Sequence, residues 1–435
     1  MLENHRLTLI ADDFTGALDT GVQFRTSGRA PRLTIWPEVN PPEETQDSPG
    51  ERGSGEFLIV DTESRFLEPA DAAERVADAT RELLRAGYEP FFKKIDSTFR
   101  GNVGAELSAM LDLLPYPAVA VVPAVPLNGR TVEGGRVFVN GIPVGESESG
   151  QDPFTPNQSN TIREILQTQT SRRIEEIAIK DIQGGCERLA RMIDGSLREG
   201  AELLIFDGKS QRDLRTIAMA LESLDSPLLL AGTSGLAQAL VSSDREFAGG
   251  ITGETGSRGR ALIVVGSLMP TTITQADRLS EEQESPATAV VDVKEALASP
   301  ETELRRLLEV ALQRPEKGSH VLLRTTENGS HRAPAHTSGS VGKSEAVLVA
   351  EFLGRVCREL IERESFDTLV LTGGSTALAV VRALEIGPLQ IQGEAMDGVP
   401  ISEGSSKLNG KRYRIITKAG GFGGPDALVR ILEEG

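Results

Sequence analysis

The chain has 435 residues, 39% hydrophobic, 25% charged and only 4% aromatic. That is a globular composition, and the length exceeds what one ordinary core fills, so two domains are expected. A formal net charge of −18 repels nucleic acid and anionic membranes, and so few aromatic rings leave little for bases to stack on.

Cys186 and Cys357 are far apart, each in a predicted helix. They fit a reducing compartment, without a disulfide framework or a metal cluster. No apolar run is long enough to span a bilayer, and residues 1–10 lack the apolar region of a signal peptide, so a cytoplasmic location is expected.

Leu7–Ile10 reads as a first strand running into Ala11-Asp12-Asp13-Phe14-Thr15-Gly16-Ala17, with Leu18, Val22 and Phe24 on the helix that follows. Paired carboxylates there can coordinate a cation, accept a proton or hold sugar hydroxyls. An N-cap aspartate is the plain alternative, and it accounts for one of the two. Leu33–Trp36 is strand two, and residues 37–56, rich in Pro, Glu, Gly and Ser, read as an exposed loop. Phe57–Val60 is strand three, ending in Asp61-Thr62-Glu63-Ser64-Arg65. Arg65 suits a carboxylate clamp or, equally, a surface ion pair with Glu63 or Glu68. Pro69 opens a helix with Ala73, Val76, Thr80, Leu83 and Leu84 on one face.

The most informative stretch is Phe91–Gly104, FFKKIDSTFRGNVG. Phe91, Phe92 and Ile95 suit a strand after Pro90, and Asp96, Ser97, Thr98 and Arg100 crowd its end. Gly101 and Gly104 precede a helix with Ala105, Leu107, Met110, Leu111 and Leu114 as its apolar stripe. Ligands of α/β sheets bind at the carboxyl ends of strands, beside helix N-termini that favour anions. Residues 91–136 also concentrate Lys93, Lys94, Arg100, Arg130 and Arg136 against the acidic background. A solvated charged turn is the bland alternative.

Ala118–Val122 is a continuous apolar strand whose exit runs through Pro123–Thr131, stiffened by prolines, where Gly129 lets Arg130 approach a ligand. Val137–Val139 and Gly141-Ile142-Pro143 read as a hairpin, trailing into polar residues 145–160. Alternation resumes with strand Ile177–Ile179, a helix around Leu189–Leu197, strand Leu203–Phe206, a helix around Leu214–Leu224 and strand Leu228–Ala231, then Gly232-Thr233-Ser234-Gly235. Residues 244–260, rich in Gly, Ser, Thr and Glu, read as a linker.

Ala261–Val265 begins a second unit and ends in Gly266-Ser267-Leu268-Met269-Pro270. Strands near 289–293 and 320–324 alternate with helices near 301–313 and 345–363. Thr368–Leu371 ends in Thr372-Gly373-Gly374-Ser375-Thr376. Tyr413–Thr417 runs into Lys418-Ala419-Gly420-Gly421-Phe422-Gly423-Gly424 before a last helix from Pro425. Both halves are therefore α/β with mostly parallel sheets flanked by helices.

The turns at Gly266-Ser267, Gly373–Thr376 and Gly420–Gly424 offer backbone amides, hydroxyls and helix dipoles to phosphates, unless they are ordinary tight βα turns. Gly339–Ser344 resembles a P-loop, but Thr337 stands at its first glycine position, and at Gly208-Lys209-Ser210 that position is Leu203, so both read as flexible loops. The dinucleotide fingerprint G-x-G-x-x-G is absent. His331 and His336 sit in a polar run without carboxylate or cysteine company.

The residues by themselves suggest phosphoryl transfer to a small anionic polyol. A carboxylate would use Arg65, Lys94 or Arg100, and hydroxyls would bond Asp13, Asp96 and Ser97. An aspartate would accept the nucleophile's proton late in a loose transition state. Nucleotide phosphates would lie on the glycine turns with Mg²⁺, and two domains closing together would exclude water. A hydroxy-acid dehydrogenase or isomerase, or a non-catalytic sugar-acid sensor, would use the same cationic pocket.

ADDFTGA at 11–17, DTESR at 61–65, KKIDSTFRGN at 93–102 and VPAVPLNGRTVEGG at 122–135 resemble the N-terminal domain of the four-carbon acid sugar kinase family. VVGSLMPTTITQ at 264–275, LTGGSTA at 371–377 and KAGGFGG at 418–424 resemble its C-terminal domain. The resemblance implies an acid-sugar-binding domain at 1–245, a nucleotide-binding domain at 258–435 and an active site in the cleft between them. It implies an ATP-dependent kinase, with Mg²⁺, acting on the terminal hydroxyl of threonate, erythronate or 3-oxo-tetronate and feeding sugar-acid catabolism. Asp13, Asp96 and Arg100 would then be catalytic. Asp12, Arg65, Lys94, Ile95, Ser97 and Arg130 would bind the acid. Ser267, Gly373, Gly374, Ser375, Thr376, Gly420 and Gly421 would bind ATP. No metal ligand is assigned, and a homodimer is compatible. Ser375 stands where members often carry an acidic residue, and Ala419 where serine is common.

Overall fold

The computed structural model describes residues 7–25, 31–38, 57–147, 161–243, 259–267, 269–282, 286–313, 320–325 and 341–433, with the side chains of 341–344 outside that set. Expectations for residues 39–56, 148–160 and 244–258, for Leu268, His331 and His336, and for residues 339–340 and the side chains of 341–344 in the P-loop look-alike lie outside what is described. The chain divides into two units, Met1–Gly250 and Ile251–Gly435.

In the first unit the order is β1 (Leu7–Ala11), α1 (Phe14–Gln23), β2 (Arg32–Ile35), β3 (Phe57–Asp61), α2 (Pro69–Arg85), β4 (Glu89–Lys94), α3 (Val103–Leu111), β5 (Val119–Val122), β6 (Arg130–Glu133), β7 (Arg136–Val139) and β8 (Ile142–Pro143). Next come α4 (Ile162–Gln167), β9 (Ile174–Ile177), α5 (Ile179–Ile182), α6 (Cys186–Arg198), β10 (Leu203–Phe206), α7 (Gln211–Glu222), β11 (Leu229–Gly232) and α8 (Ser234–Ser243).

Its main sheet runs β2-β3-β1-β4-β11-β5-β10-β9, and every pairing is parallel. A parallel sheet is covered on both faces, which explains the unbroken apolar runs in β3 and β5. Phe24, the C-cap of α1, stacks on Phe57 at 4.7 Å and meets Phe91 and Phe92 edge-on, locking the end of α1 against β3 and β4. After β1 the chain goes to one side for β2 and β3, then crosses to β4 on the other. The carboxyl ends of β3, β1 and β4 therefore lie side by side at the topological switch point, where such sheets bind ligands.

The structure departs from expectation in three places here. The strand expected at 177–179 is β9 at 174–177, and Ile179 opens α5. Glu175 and Glu176 disguise it, because an edge strand pairs on one side only and tolerates polar residues. Arg130 lies not on a loop but on β6, in a small antiparallel sheet β6-β7-β8. The Gly208-Lys209-Ser210 look-alike is a helix start: Ser210 and Asp213 form a capping box on α7.

The second unit contains β12 (Ala261–Val265), α9 (Pro270–Glu281), β13 (Ala287–Val291), α10 (Val293–Ala298), α11 (Pro300–Leu312), β14 (Val321–Thr325), α12 (Val341–Arg363), β15 (Thr368–Thr372), α13 (Gly374–Ala383), β16 (Leu389–Met396), β17 (Val399–Ser405), β18 (Arg412–Lys418) and α14 (Ala427–Glu433). Strands β13-β14-β12-β15-β18 are parallel in that order, followed by antiparallel β17 and β16. The β16–β17 hairpin is absent from the expectations, although its signals are present. Buried and less buried residues alternate from Leu389 to Met396, and Asp397-Gly398 makes the turn, with Gly398 at φ 73°. The last helix begins at Ala427 rather than Pro425.

Candidate active site

The first unit gathers its charges at the ends of β1, β3 and β4. Arg65 Nε donates to Asp12 Oδ2 at 2.8 Å and its Nη2 to Asp12 Oδ1 at 2.9 Å; Nη2 also reaches Asp13 Oδ1. Its Nη1 lies 3.7 Å from Asp96 Oδ1. Arg65 is buried and paired with Asp12 and Asp13 rather than with Glu63 or Glu68 at the surface. Asp96 receives Arg100 Nε and Nη2, each at 2.9 Å, the Thr98 amide at 3.1 Å and the Thr98 hydroxyl. The loop therefore folds back on its own aspartate and presents Arg100 with its side chain 22% exposed.

Neither Asp12 nor Asp13 caps α1. Asp13 occupies the N-cap position without a side-chain cap, and its Oδ2 accepts instead from Thr15 Oγ1 at 2.9 Å. The Phe14 amide goes to Glu63 Oε1 at 3.0 Å, from a residue held at φ 48°. Both aspartates are thus released for the Arg65 cluster. Lys94 Nζ donates to the Ile95 carbonyl at 2.9 Å. Gly16 sits so close to Lys94 Nζ and Asp13 Oδ1 that a Cβ there would overlap both. Ile95 is fully buried and its amide donates to Gly232 O at 2.9 Å; Ser97 is half-buried.

Lys93 lies beneath this patch: its side chain is fully buried with Nζ 2.7 Å from Glu106 Oε2, and its charge still acts on Asp12. Strand alternation sends Lys93 and Lys94 to opposite faces. Arg130 is half-buried and close enough to Asp96 and Arg100 to feel both, whereas Arg136 is exposed on β7. Asp207 holds the hairpin carrying Arg130, accepting the amides of Gly134, Gly135 and Ile179, each at 3.0 Å.

Burial alone would raise the Asp96 carboxyl, but Arg100 and Arg65 overrule it and hold it well below the usual range. Asp12 is lowered likewise against its burial by Arg65, Lys93 and Lys94. Burial works against charged Arg65, yet Asp12, Asp13 and Asp96 keep it protonated. Asp61 moves the other way: burial, then neighbouring Glu63, pushes its carboxyl well up. Asp61, Glu63 and Glu106 escaped the sequence reading as site elements. The dense polar run after β3 was the one signal for Asp61 and Glu63; Glu106 lies outside it, on α3.

In the second unit the three small-residue turns converge. The Gly373 amide donates to Lys418 O at 2.9 Å, and the Gly266 amide to Thr372 O at 3.4 Å. Thr272 Oγ1 reaches Gly420 O and lies 3.5 Å from Ser267 Oγ. A Cβ on Gly266 would overlap Thr376 Oγ1, and one on Gly420 would overlap Ser267 Oγ. Ser267, Gly373, Thr376 and Gly420 are thus neighbours at the carboxyl ends of β12, β15 and β18. Gly374 opens α13 behind the positive-φ residue Gly373. Ser375 and Gly421 are exposed beside them. Backbone amides at a helix N-terminus beside close-packed glycines can seat phosphate oxygens.

A family model described as a sugar-binding N-terminal domain matches residues 7–240, and one described as a nucleotide-binding C-terminal domain matches 262–428. A D-threonate kinase of Salmonella typhimurium is 31% identical, with 98% of this chain and 97% of that protein covered. A D-erythronate kinase of Heliobacterium modesticaldum is 28% identical and a 3-oxo-tetronate kinase of Pseudomonas fluorescens 29%, each over 98% of this chain and 96% of the relative. A solved Salmonella typhimurium LT2 chain, described as a candidate tRNA synthase, superposes with a TM-score of 0.77 at 23% identity, covering 98% of this chain and 99% of that one; at that identity the likeness is one of fold alone. The chain belongs to the four-carbon acid sugar kinase family, a family of ATP-dependent sugar-acid kinases.

Proposed function

We propose that this protein transfers the γ-phosphoryl group of ATP to the terminal (4-) hydroxyl of a four-carbon sugar acid such as threonate, erythronate or 3-oxo-tetronate. The observation that carries the reading is the Arg65–Asp12–Asp13–Asp96–Arg100 cluster with Lys94 beside it, in a chain of net charge −18. Arg100, with Lys94 and Arg130, meets the substrate carboxylate, since guanidinium and ammonium groups bind it by charge-assisted hydrogen bonds. Asp96, held ionised by Arg100 and Arg65, orients both guanidinium groups. Asp13, held by Thr15 and Arg65, is the acceptor for the hydroxyl proton.

The turns around Ser267, Gly373–Thr376 and Gly420–Gly421 fit the nucleotide. Close glycine packing leaves room for phosphate oxygens, and the Gly420 and Gly421 amides bond to nothing among the described residues. ATP supplies the phosphoryl group, and Mg²⁺ neutralises its charge. The oxygens of Asp12, Asp13 and Asp96 face arginine donors, a poor donor set for a divalent cation, so Mg²⁺ would come with the triphosphate. Transfer requires hydroxyl and γ-phosphate in line with water excluded.

A coupled ADP-release assay over a panel of three- to six-carbon aldonates tests the reading. Turnover dependent on a four-carbon acid is expected. ATP turnover that no tetronate or related hydroxy acid stimulates would refute it.

A further inference from the structure

Lys418, the last residue of β18, is fully buried. Among the described residues no carboxylate pairs with it. Its Nζ donates to three carbonyls of the loop that follows: Ala419 at 3.1 Å, Gly420 at 3.4 Å and Phe422 at 3.0 Å. Its own carbonyl accepts the Gly373 amide at 2.9 Å, tying this loop to the turn before α13. From α9, Gln275 Nε2 donates to Phe422 O at 3.0 Å, Gly423 O at 3.2 Å and Gly424 O at 2.8 Å, and Thr272 Oγ1 donates to Gly420 O. Both side chains are fully buried. Every carbonyl from Ala419 to Gly424, save that of Gly421, therefore accepts from a donor behind the loop.

A peptide plane whose carbonyl is held inward has its amide turned out. We propose that Lys418, Gln275 and Thr272 are positioning residues that set the polarity of the 419–424 loop, leaving the amides of Gly420 and Gly421 to receive the polyphosphate of ATP. The inference rests on the proposed function and deepens it. A cation is the apt donor at this place, since its charge reinforces the outward amides in attracting an anion. Burial pushes the Lys418 ammonium down to about 8, so it remains charged near neutral pH.

The test uses the full chain with Lys418→Met, Gln275→Glu and Thr272→Val. Gln275→Glu is nearly isosteric and sets carboxylate oxygen against the same three carbonyls. Thr272→Val removes one donor at constant shape and guards against misfolding of the lysine variant. MgATP binding is measured by calorimetry, and KM is measured for ATP and for the sugar acid. With three loop bonds lost in each of the lysine and glutamine variants, ATP affinity should fall about tenfold or more, and with one lost in Thr272→Val it should fall severalfold, while the acid's KM stays within about twofold in all three. Variants that bind MgATP like wild type, or that lose both KM values in parallel, overturn the inference and leave the proposed function standing. Wild-type protein that binds no MgATP overturns both.

Discussion

Arg65 closes a two-pronged pair onto Asp12, with Nε and Nη2 at 2.8 and 2.9 Å from the two carboxylate oxygens, across 53 positions of sequence. The same guanidinium touches Asp13 and approaches Asp96, so one side chain joins the ends of β1, β3 and β4. Removing one partner of a buried ion pair strands the other charge, a loss of about 3–5 kcal/mol. Arg65→Met should therefore lose stability on that scale as well as activity, read as a lower urea midpoint. An unchanged midpoint would show the cluster to be structurally idle.

Asp96 and Arg100 give a prediction in pH. The folded-state pKa of Asp96 is depressed, so its stabilisation is fully present above the unfolded value of about 3.9 and drains away as pH falls through the folded value. Wild type should be more stable than Asp96→Asn at neutral pH, by an amount that shrinks below about pH 4. Arg100→Ala should raise the KM for the acid by about tenfold or more, the scale of one charged hydrogen bond. A pH-independent gap between wild type and Asp96→Asn would contradict the electrostatic account.

Asp61 should show the opposite slope. Its folded-state pKa is raised, so between about 3.9 and that value the native state holds a proton that the unfolded chain has released, and stability declines as pH rises. Asp61→Asn keeps a neutral side chain throughout. Thermal melts from pH 4 to 8 should be flatter for this variant, and identical slopes would dismiss the assignment.

Lys93 and Glu106 form a second buried pair under the site, at 2.7 Å. Glu106→Leu should cost about 3–5 kcal/mol by taking away the ammonium's paired carboxylate, whereas adding Lys93→Met to it should recover most of that loss. A double-mutant cycle in denaturant measures the coupling. Additive effects would mean that the two charges do not depend on each other.

The order of local features alone determined much of this protein. Apolar runs of strand length, alternating with helical stripes and punctuated by glycine, specify parallel α/β units with polar residues at strand ends. That pattern is local, because alternation and turn chemistry act within a few residues. It located Asp12, Asp13, Arg65, Asp96 and Arg100 at such ends, and the glycine turns of the second half.

Only tertiary structure decided which of these groups meet. Arg65 could have paired with Glu63 or Glu68 nearby; the strand order β3-β1-β4 brought Asp12 and Asp13 to it instead. Lys93 and Lys94 look alike in sequence, yet the pleat turns one to Glu106 on α3 and the other to the site. Lys418 read as the first residue of the glycine turn after a strand ending at Thr417; the fold makes it the last residue of β18, and its bonds to the loop, like those of Gln275 on α9, appear only in the folded chain. Each outcome depends on contacts between residues distant along the chain, and those exist only once the sheet order is set.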